Sequence, residues 1–157
     1  MRAPRVLAVL AALAAIGVAC KDDATGIPAG LEVYTATLTG TNEAPTAVTT
    51  TATGHAVVTI LGDSMISWQV IIDSPIDSII AGHIHRRAAD SVAGNVRVDF
   101  TPPATGAGFT GTATLGSLTP VPPADSIFAI IRAGRAYVNI HTKAHTGGEI
   151  RGTLVKQ

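Results

Sequence analysis

From Leu31 onward, apolar side chains recur at every second position in short runs separated by turn residues. Tyr34, Ala36 and Leu38 alternate with Thr35, Thr37 and Thr39, and between Gly54 and Leu61 the residues Ala56, Val58 and Ile60 alternate with His55, Val57 and Thr59. Successive side chains of a strand point to opposite faces, so each run predicts a strand with one face in a core. Gly62-Asp63 predicts a hairpin turn. Beyond it, Ile66, Trp68, Val70 and Ile72 share one face and Met65, Ser67, Gln69 and Ile71 the other, which makes Trp68 a core residue and not a ligand platform. Further strands are expected over Ser78 to His85, Gly94 to Phe100, Gly108 to Leu115, Arg135 to Thr142 and Glu149 to Val155, eight in all. Short strands spaced in this way predict an all-β antiparallel sandwich or barrel.

One segment departs from period two. Between Asp125 and Ala133, Ile127, Phe128, Ile130 and Ile131 have three- and four-residue spacings, with Pro122 and Pro123 upstream and Gly134 placed to end a helix. A short helix is expected over 125–133. Its β-branched isoleucines lower helix propensity, so a buried strand is the alternative. The stretches Thr46 to Thr53 and Thr101 to Gly108 read as loops.

Composition narrows the class. The chain has 157 residues, 46% hydrophobic and 14% charged, which suits one domain with its own core. Part of the hydrophobicity lies at the N-terminus, where Arg2 and Arg5 precede an apolar run from Val6 to Val18, the layout of a secretory signal. That run is shorter than the roughly 20 apolar residues a spanning helix needs. Gly17-Val18-Ala19-Cys20 resembles the lipobox of bacterial lipoproteins. The resemblance implies that residues 1–19 are removed, that Cys20 carries a lipid, and that 20–30 is a tether; ordinary cleavage near Ala19 is the alternative, since Gly17 stands where a large aliphatic residue is usual. The protein would then be exported and membrane-anchored, facing the periplasm or the cell surface. Lys21 after the cysteine is not the aspartate of inner-membrane retention, which favours the outer membrane. Without Arg2 and Arg5, nine Lys and Arg face eleven Asp and Glu, a net charge of −2. No electrostatic case for nucleic acid exists. Cys20 is the one cysteine, so the fold has no intramolecular disulfide.

Polar residues with chemistry gather in two distant segments, Gly82-His83-Ile84-His85 and Tyr137-Val138-Asn139-Ile140-His141-Thr142. On strands, His83 and His85 share a face, as do Tyr137, Asn139 and His141. Histidines at i and i+2 have Cα atoms about 6.6 Å apart, a separation that imidazoles bridge by converging on one metal at about 2.0 to 2.1 Å each. His141 would supply a third ligand if its strand lies beside that of His83, with Glu149 or His145 completing the set, and such ligands suit copper or zinc. Equally, His83 and His85 could hydrogen-bond Asn139, Glu149 or backbone groups and simply fix the sheet. Glu149 and Arg151 share a face, and Arg151 could pair with Glu43, Asp99 or Glu149. Glu43 fits either a ligand site or a turn cap before Pro45. His55 is expected in solvent and His145 in a loop.

Taken together, Leu38-Thr39-Gly40-Thr41-Asn42-Glu43-Ala44-Pro45, Gly82-His83-Ile84-His85, and Gly134 to Thr142 followed by Gly147-Gly148-Glu149-Ile150-Arg151-Gly152 resemble the CHRD domain, a module named after chordin and also found in bacterial secreted proteins. The resemblance spans roughly residues 31 to 157. It implies an immunoglobulin-like antiparallel β-sandwich with a superoxide-dismutase-like Greek key and assigns no activity; from the polar face around His83, His85, Asn139 and His141 a binding or interaction module for a protein, glycan or small ligand is expected. Growth-factor binding belongs to a much larger protein and is not carried over.

Catalysis is not required by these residues. Five histidines and no cysteine pair argue against a two-metal superoxide dismutase, leaving a single-copper redox site as the enzymatic alternative. The serines lack a nucleophile elbow, which argues against a hydrolase.

Overall fold

The computed structural model describes residues 30–74, 76–87, 94–104, 106–114 and 124–157, with side chains from 127 onward in the last segment. The expected signal segment 1–19, Cys20 and the tether as far as 29 lie outside them. Among the described residues nine strands form one antiparallel sheet: β1 Leu31–Thr39, β2 Thr53–Leu61, β3 Met65–Ile72, β4 Ile79–Arg86, β5 Val96–Phe100, β6 Gly108–Thr114, β7 Ala136–Thr142, β8 Ile150–Thr153 and β9 Val155–Lys156. Their order is β5-β4-β7-β8-β1-β2-β3-β6, with β9 also on β1.

Alternation along the chain decides which face each strand buries. Tyr34, Ala36, Leu38, Ala56, Val58, Ile60, Ile66, Trp68, Val70 and Ile72 all enter the core, on the faces their spacing predicts. β1 and β2 pair in unbroken register from Leu31 opposite Leu61 to Thr39 opposite Thr53. The turn to β3 uses Gly62 at φ +61, a conformation costly for residues with a Cβ.

The two sheet edges curl toward each other. Phe100 on β5 lies 5.9 Å, ring to ring, from Phe109 on β6, and Trp68 on β3 stacks on Phe100 at 4.8 Å. The sheet is therefore nearly closed, like a barrel, with the aromatic contacts filling the seam.

The helix α1, Ala124–Arg132, takes the place the three- and four-residue spacing predicts. Ile127, Phe128 and Ile131 are buried in the common core, and packing of this stripe outweighs the low helix propensity of isoleucine. Gly134 at φ +64 ends it: its N–H donates to the Ile131 carbonyl, and that of Arg135 to Ile130. Arg132 in the last turn pairs with Glu32 of β1, holding that carboxyl down at about 2.

The run expected over 149–155 is two strands. Thr39 faces Arg151 and Thr35 faces Val155 in one continuing register, but Leu154 leaves the ladder to bury its side chain and donates its N–H to the Ala136 carbonyl. β7 is buried along its whole length, on both faces. One face looks into the core; the other carries Tyr137, Asn139 and His141.

Candidate functional site

The register of β4 against β7 brings the two histidine segments together. His83 lies opposite Asn139, His85 opposite Tyr137 and Ala81 opposite His141, so His83 and His141 are diagonal neighbours on one face. The β4–β5 ladder shifts register between Ile84 and His85, an irregularity of the kind that re-aims side chains beside functional sites. His83 Nδ1 stands 3.1 Å from His141 Nε2. The His85 ring centre is 5.2 Å from that of His83 and 5.8 Å from that of His141. One ring nitrogen of each histidine lies within 4.8 Å of those of the other two.

The outer nitrogens are engaged by oxygen acceptors. His85 Nδ1 is 2.8 Å from the Gly94 carbonyl, His141 Nδ1 is 3.0 Å from the Thr146 carbonyl, and His83 Nε2 faces the Asp99 carboxylate at 3.5 Å. A carbonyl only accepts, so the Nδ1 atoms of His85 and His141 must carry protons, and their Nε2 atoms are lone pairs when the rings are neutral. His85 Nε2 is buried and finds no hydrogen-bond partner among the described residues.

Proton accounting exposes a conflict. With His141 neutral, the 3.1 Å contact is satisfied only if His83 Nδ1 donates, and a neutral His83 would then turn an Nε2 lone pair toward Asp99. Protonating His83 would satisfy both contacts. Burial opposes that charge, as does His141, and together they lower the His83 pKa against the pull of Asp99. Burial also pushes His85 down to about 4, more than the Gly94 carbonyl raises it. His83 and His85 thus favour neutral rings, and the unpartnered Nε2 of His85 is an inward lone pair.

The support behind it is layered. Tyr137 stacks on His85 at 5.0 Å with planes 6° apart, and the Arg151 guanidinium lies over the same tyrosine ring, 3.5 Å from its centre. The Gly94 peptide is gripped twice, its carbonyl by His85 and its N–H by the Tyr137 hydroxyl at 3.2 Å. A Cβ on Gly94 would stand 1.5 Å from the Arg86 carbonyl oxygen, so no other residue fits there unchanged.

Beside the trio lies a second polar group. Asn139 donates to Glu43 over a long 3.5 Å contact, while Glu43 Oε1 and Asn139 Oδ1 are buried without hydrogen-bond partners among the described residues. Burial pushes the Glu43 carboxyl up to about 7, overcoming the Arg151 charge and the Asn139 and Ala44 hydrogen bonds. Gly148, at φ +129, packs flat on both side chains; a Cβ there would come within 2.4 Å of Asn139.

Of the residues singled out from sequence, His83, His85 and His141 form the group, and Glu43, Asn139 and Arg151 adjoin it. Glu149 does not reach it: its two oxygens accept from the Thr50 and Thr142 hydroxyls, each at 2.7 Å. Asp99, one of three candidate partners of Arg151 alongside Glu43 and Glu149, faces His83. His55 is exposed and pairs with Asp73 at 3.0 Å, and His145 lies in the loop before Gly148. The stacking role of Tyr137 and the acceptors Gly94 and Thr146 were missed, because backbone carbonyls leave no mark in residue types.

The domain is thus an antiparallel, nearly closed all-β module that carries a largely buried histidine trio on the face of β7 turned away from the core. The CHRD domain model matches residues 34–154, and the chain belongs to that family, an extracellular-type interaction domain. No curated protein and no solved structure matches the chain. No helix among the described residues is long and apolar enough to cross a membrane.

Proposed function

We propose that this domain is an extracytoplasmic binding module whose ligand is a single transition-metal ion, copper or zinc, held by His83 Nδ1, His85 Nε2 and His141 Nε2. The observation that carries this reading is the buried, unpartnered His85 Nε2 beside two other inward ring nitrogens. Two nitrogens bound tetrahedrally at 2.0 to 2.1 Å stand about 3.3 Å apart, and His83 Nδ1 and His141 Nε2 are already at 3.1 Å. Each ring also has an oxygen acceptor for its other nitrogen, the outer-shell arrangement that fixes tautomer and orientation in metal sites. A cation would resolve the proton conflict that neutral rings create. Three imidazoles leave a fourth position for water or an exogenous ligand, so binding needs no catalysis.

Metal content by mass spectrometry, after exposure to copper or zinc and removal of loose ions, tests this. One ion per chain in the wild type and near zero in a His83→Ala/His85→Ala variant is expected. A folded wild type without metal would leave the histidines as a structural network.

Attachment to a membrane through a lipid on Cys20 is proposed on the lipobox-like residues 17–20. Fractionation of a Cys20→Ser variant, which should leave the membrane fraction, checks it. The finer assignment to an immunoglobulin-like sandwich with a superoxide-dismutase-like Greek key is also a proposal, supported by the antiparallel pairing throughout and the non-sequential neighbours β1–β8 and β4–β7.

A further inference from the structure

The loop between β1 and β2 reaches the polar face of β7, and polar groups make its hold there. Across residues 41–47 only Glu43 is buried, with 7% of its surface exposed. Glutamate is rarely that deep unless it is paired. Its neighbour is Asn139 of β7, itself 4% exposed. Beside it, Asn42 Nδ2 donates to the Arg151 and Thr37 carbonyls at 3.1 and 3.4 Å. The Glu43 and Val48 N–H groups both donate to the Gly40 carbonyl, which closes the loop on itself.

An ionised Glu43 does not match its surroundings. Asn139 Nδ2 donates to Glu43 Oε2 at 3.5 Å, while Glu43 Oε1 and Asn139 Oδ1 are both buried without a hydrogen-bond partner among the described residues. Both oxygens stand within 2.7 Å of the point where a Cβ on Gly148 would lie, so they front one small space that the glycine leaves open. A carboxylate only accepts, and an amide offers one oxygen and one nitrogen; turning the amide over would exchange the contacts and still leave oxygen against oxygen. A proton on Glu43 removes the mismatch. Among the groups packed against it, Arg151 on β8 favours the carboxylate but is outweighed by burial, and Tyr137 on β7 is the other titratable side chain that feels its charge. The 143–149 loop presents the Gly148 backbone, and β4 places His83 opposite Asn139, where burial keeps the ring's pKa low.

We propose that Glu43 is held as the neutral acid, donating from Oε1 to Asn139 Oδ1 while Asn139 Nδ2 donates to Oε2, and that this cyclic acid–amide pair is a proton-operated latch fastening the 40–48 loop to β7. Loss of the proton sets two acceptors against each other and leaves a charge in a buried place. The carboxylate is relieved when the loop carries it out into solvent, which uncovers Asn139 and the Gly148 turn. The latch is closed in acid and opens as the medium turns alkaline. It needs no metal.

The test uses the purified full-length chain between pH 5.5 and 8, in EDTA, so that its outcome is independent of the metal reading. NMR of the side-chain carboxyl carbons follows the Glu43 proton. Amide-exchange protection factors at Glu43 and Val48, which correct for the direct effect of pH on exchange, follow the loop. The Glu43 carboxyl should titrate at about pH 7, and Val48 protection should fall about 25-fold across the range, the linkage expected when a group held at about 7 is released to 4.5. Glu43→Gln, whose amide donates at every pH, should hold that protection level. A Glu43 carboxyl that titrates below pH 5 in the folded wild type would overturn the proposal without recourse to a variant. Titration at about pH 7 with Val48 protection unchanged, or Glu43→Gln losing protection in step with the wild type, would overturn it as well.

Discussion

Replacing Glu43 with glutamine isolates one half of a proton balance built into the polar face. The folded protein keeps the Glu43 proton up to about pH 7, against 4.5 ordinarily. Its contribution to stability is fully present below pH 4.5 and is lost as the pH rises through 7. At 1.36 kcal/mol per pKa unit this loss is about 3 kcal/mol. His85 works in the opposite sense, with its pKa pushed from 6.5 down to about 4. There the unfolded chain holds a proton that the folded one lacks, so the contribution is present above pH 6.5 and lost as the pH falls through 4, again about 3 kcal/mol. Between pH 4.5 and 6.5 the slopes oppose. Metal-free wild-type stability should therefore vary by only about 1 kcal/mol across that window, with the lowered His83 pKa adding to the rise. Glu43→Gln removes the falling half, and its stability should climb by about 2 to 3 kcal/mol from pH 4.5 to 6.5. Urea denaturation in EDTA, followed by the fluorescence of Trp68, measures both curves. Parallel curves for the two proteins across the window would refute the reasoning.

Other expectations concern the supports. Gly94→Ala should weaken metal binding by about 10- to 100-fold in a competitive chelator titration, because the added Cβ displaces the carbonyl that orients His85. Tyr137→Phe keeps the stack on His85 and loses the bond from the Gly94 N–H; about 1 kcal/mol of stability should go with it in denaturant melts. Ile140→Ala, at a fully buried core position, should cost about 2 to 5 kcal/mol by the same measurement. Glu32→Gln breaks the pairing with the half-exposed Arg132, and its effect should stay below about 1 kcal/mol and shrink further in salt.

Strand faces were legible because one residue in two is apolar wherever a strand has a core side, as at Tyr34, Ala36 and Leu38. The helix was legible from the spacing of Ile127, Phe128 and Ile131, although propensity alone would have argued against it. The convergence of His83, His85 and His141 followed from face-sharing plus one assumption, that their strands are neighbours. Pattern says nothing about closure: the meeting of Phe100 with Phe109 depends on how far the sheet curls. Nor could it show that the polar face of β7 is buried, since the sharing of a face by Tyr137, Asn139 and His141 does not tell what packs over it. Glu149 looked available for the same reason. Its two threonine partners, Thr50 on a loop and Thr142 at the end of β7, are 99 and 7 residues away, and a hydroxyl's choice of acceptor carries no periodic signal.

The central claim concerns three particular nitrogen atoms, and long-range proton–nitrogen NMR of the imidazole rings reads them one by one. On titration with zinc to one equivalent, His83 Nδ1, His85 Nε2 and His141 Nε2 should all move to coordinated shifts together, while the Nδ1 atoms of His85 and His141 remain protonated and His55 and His145 stay unchanged. Zinc that leaves the three rings untouched, or that shifts only His55 and His145, would contradict the account.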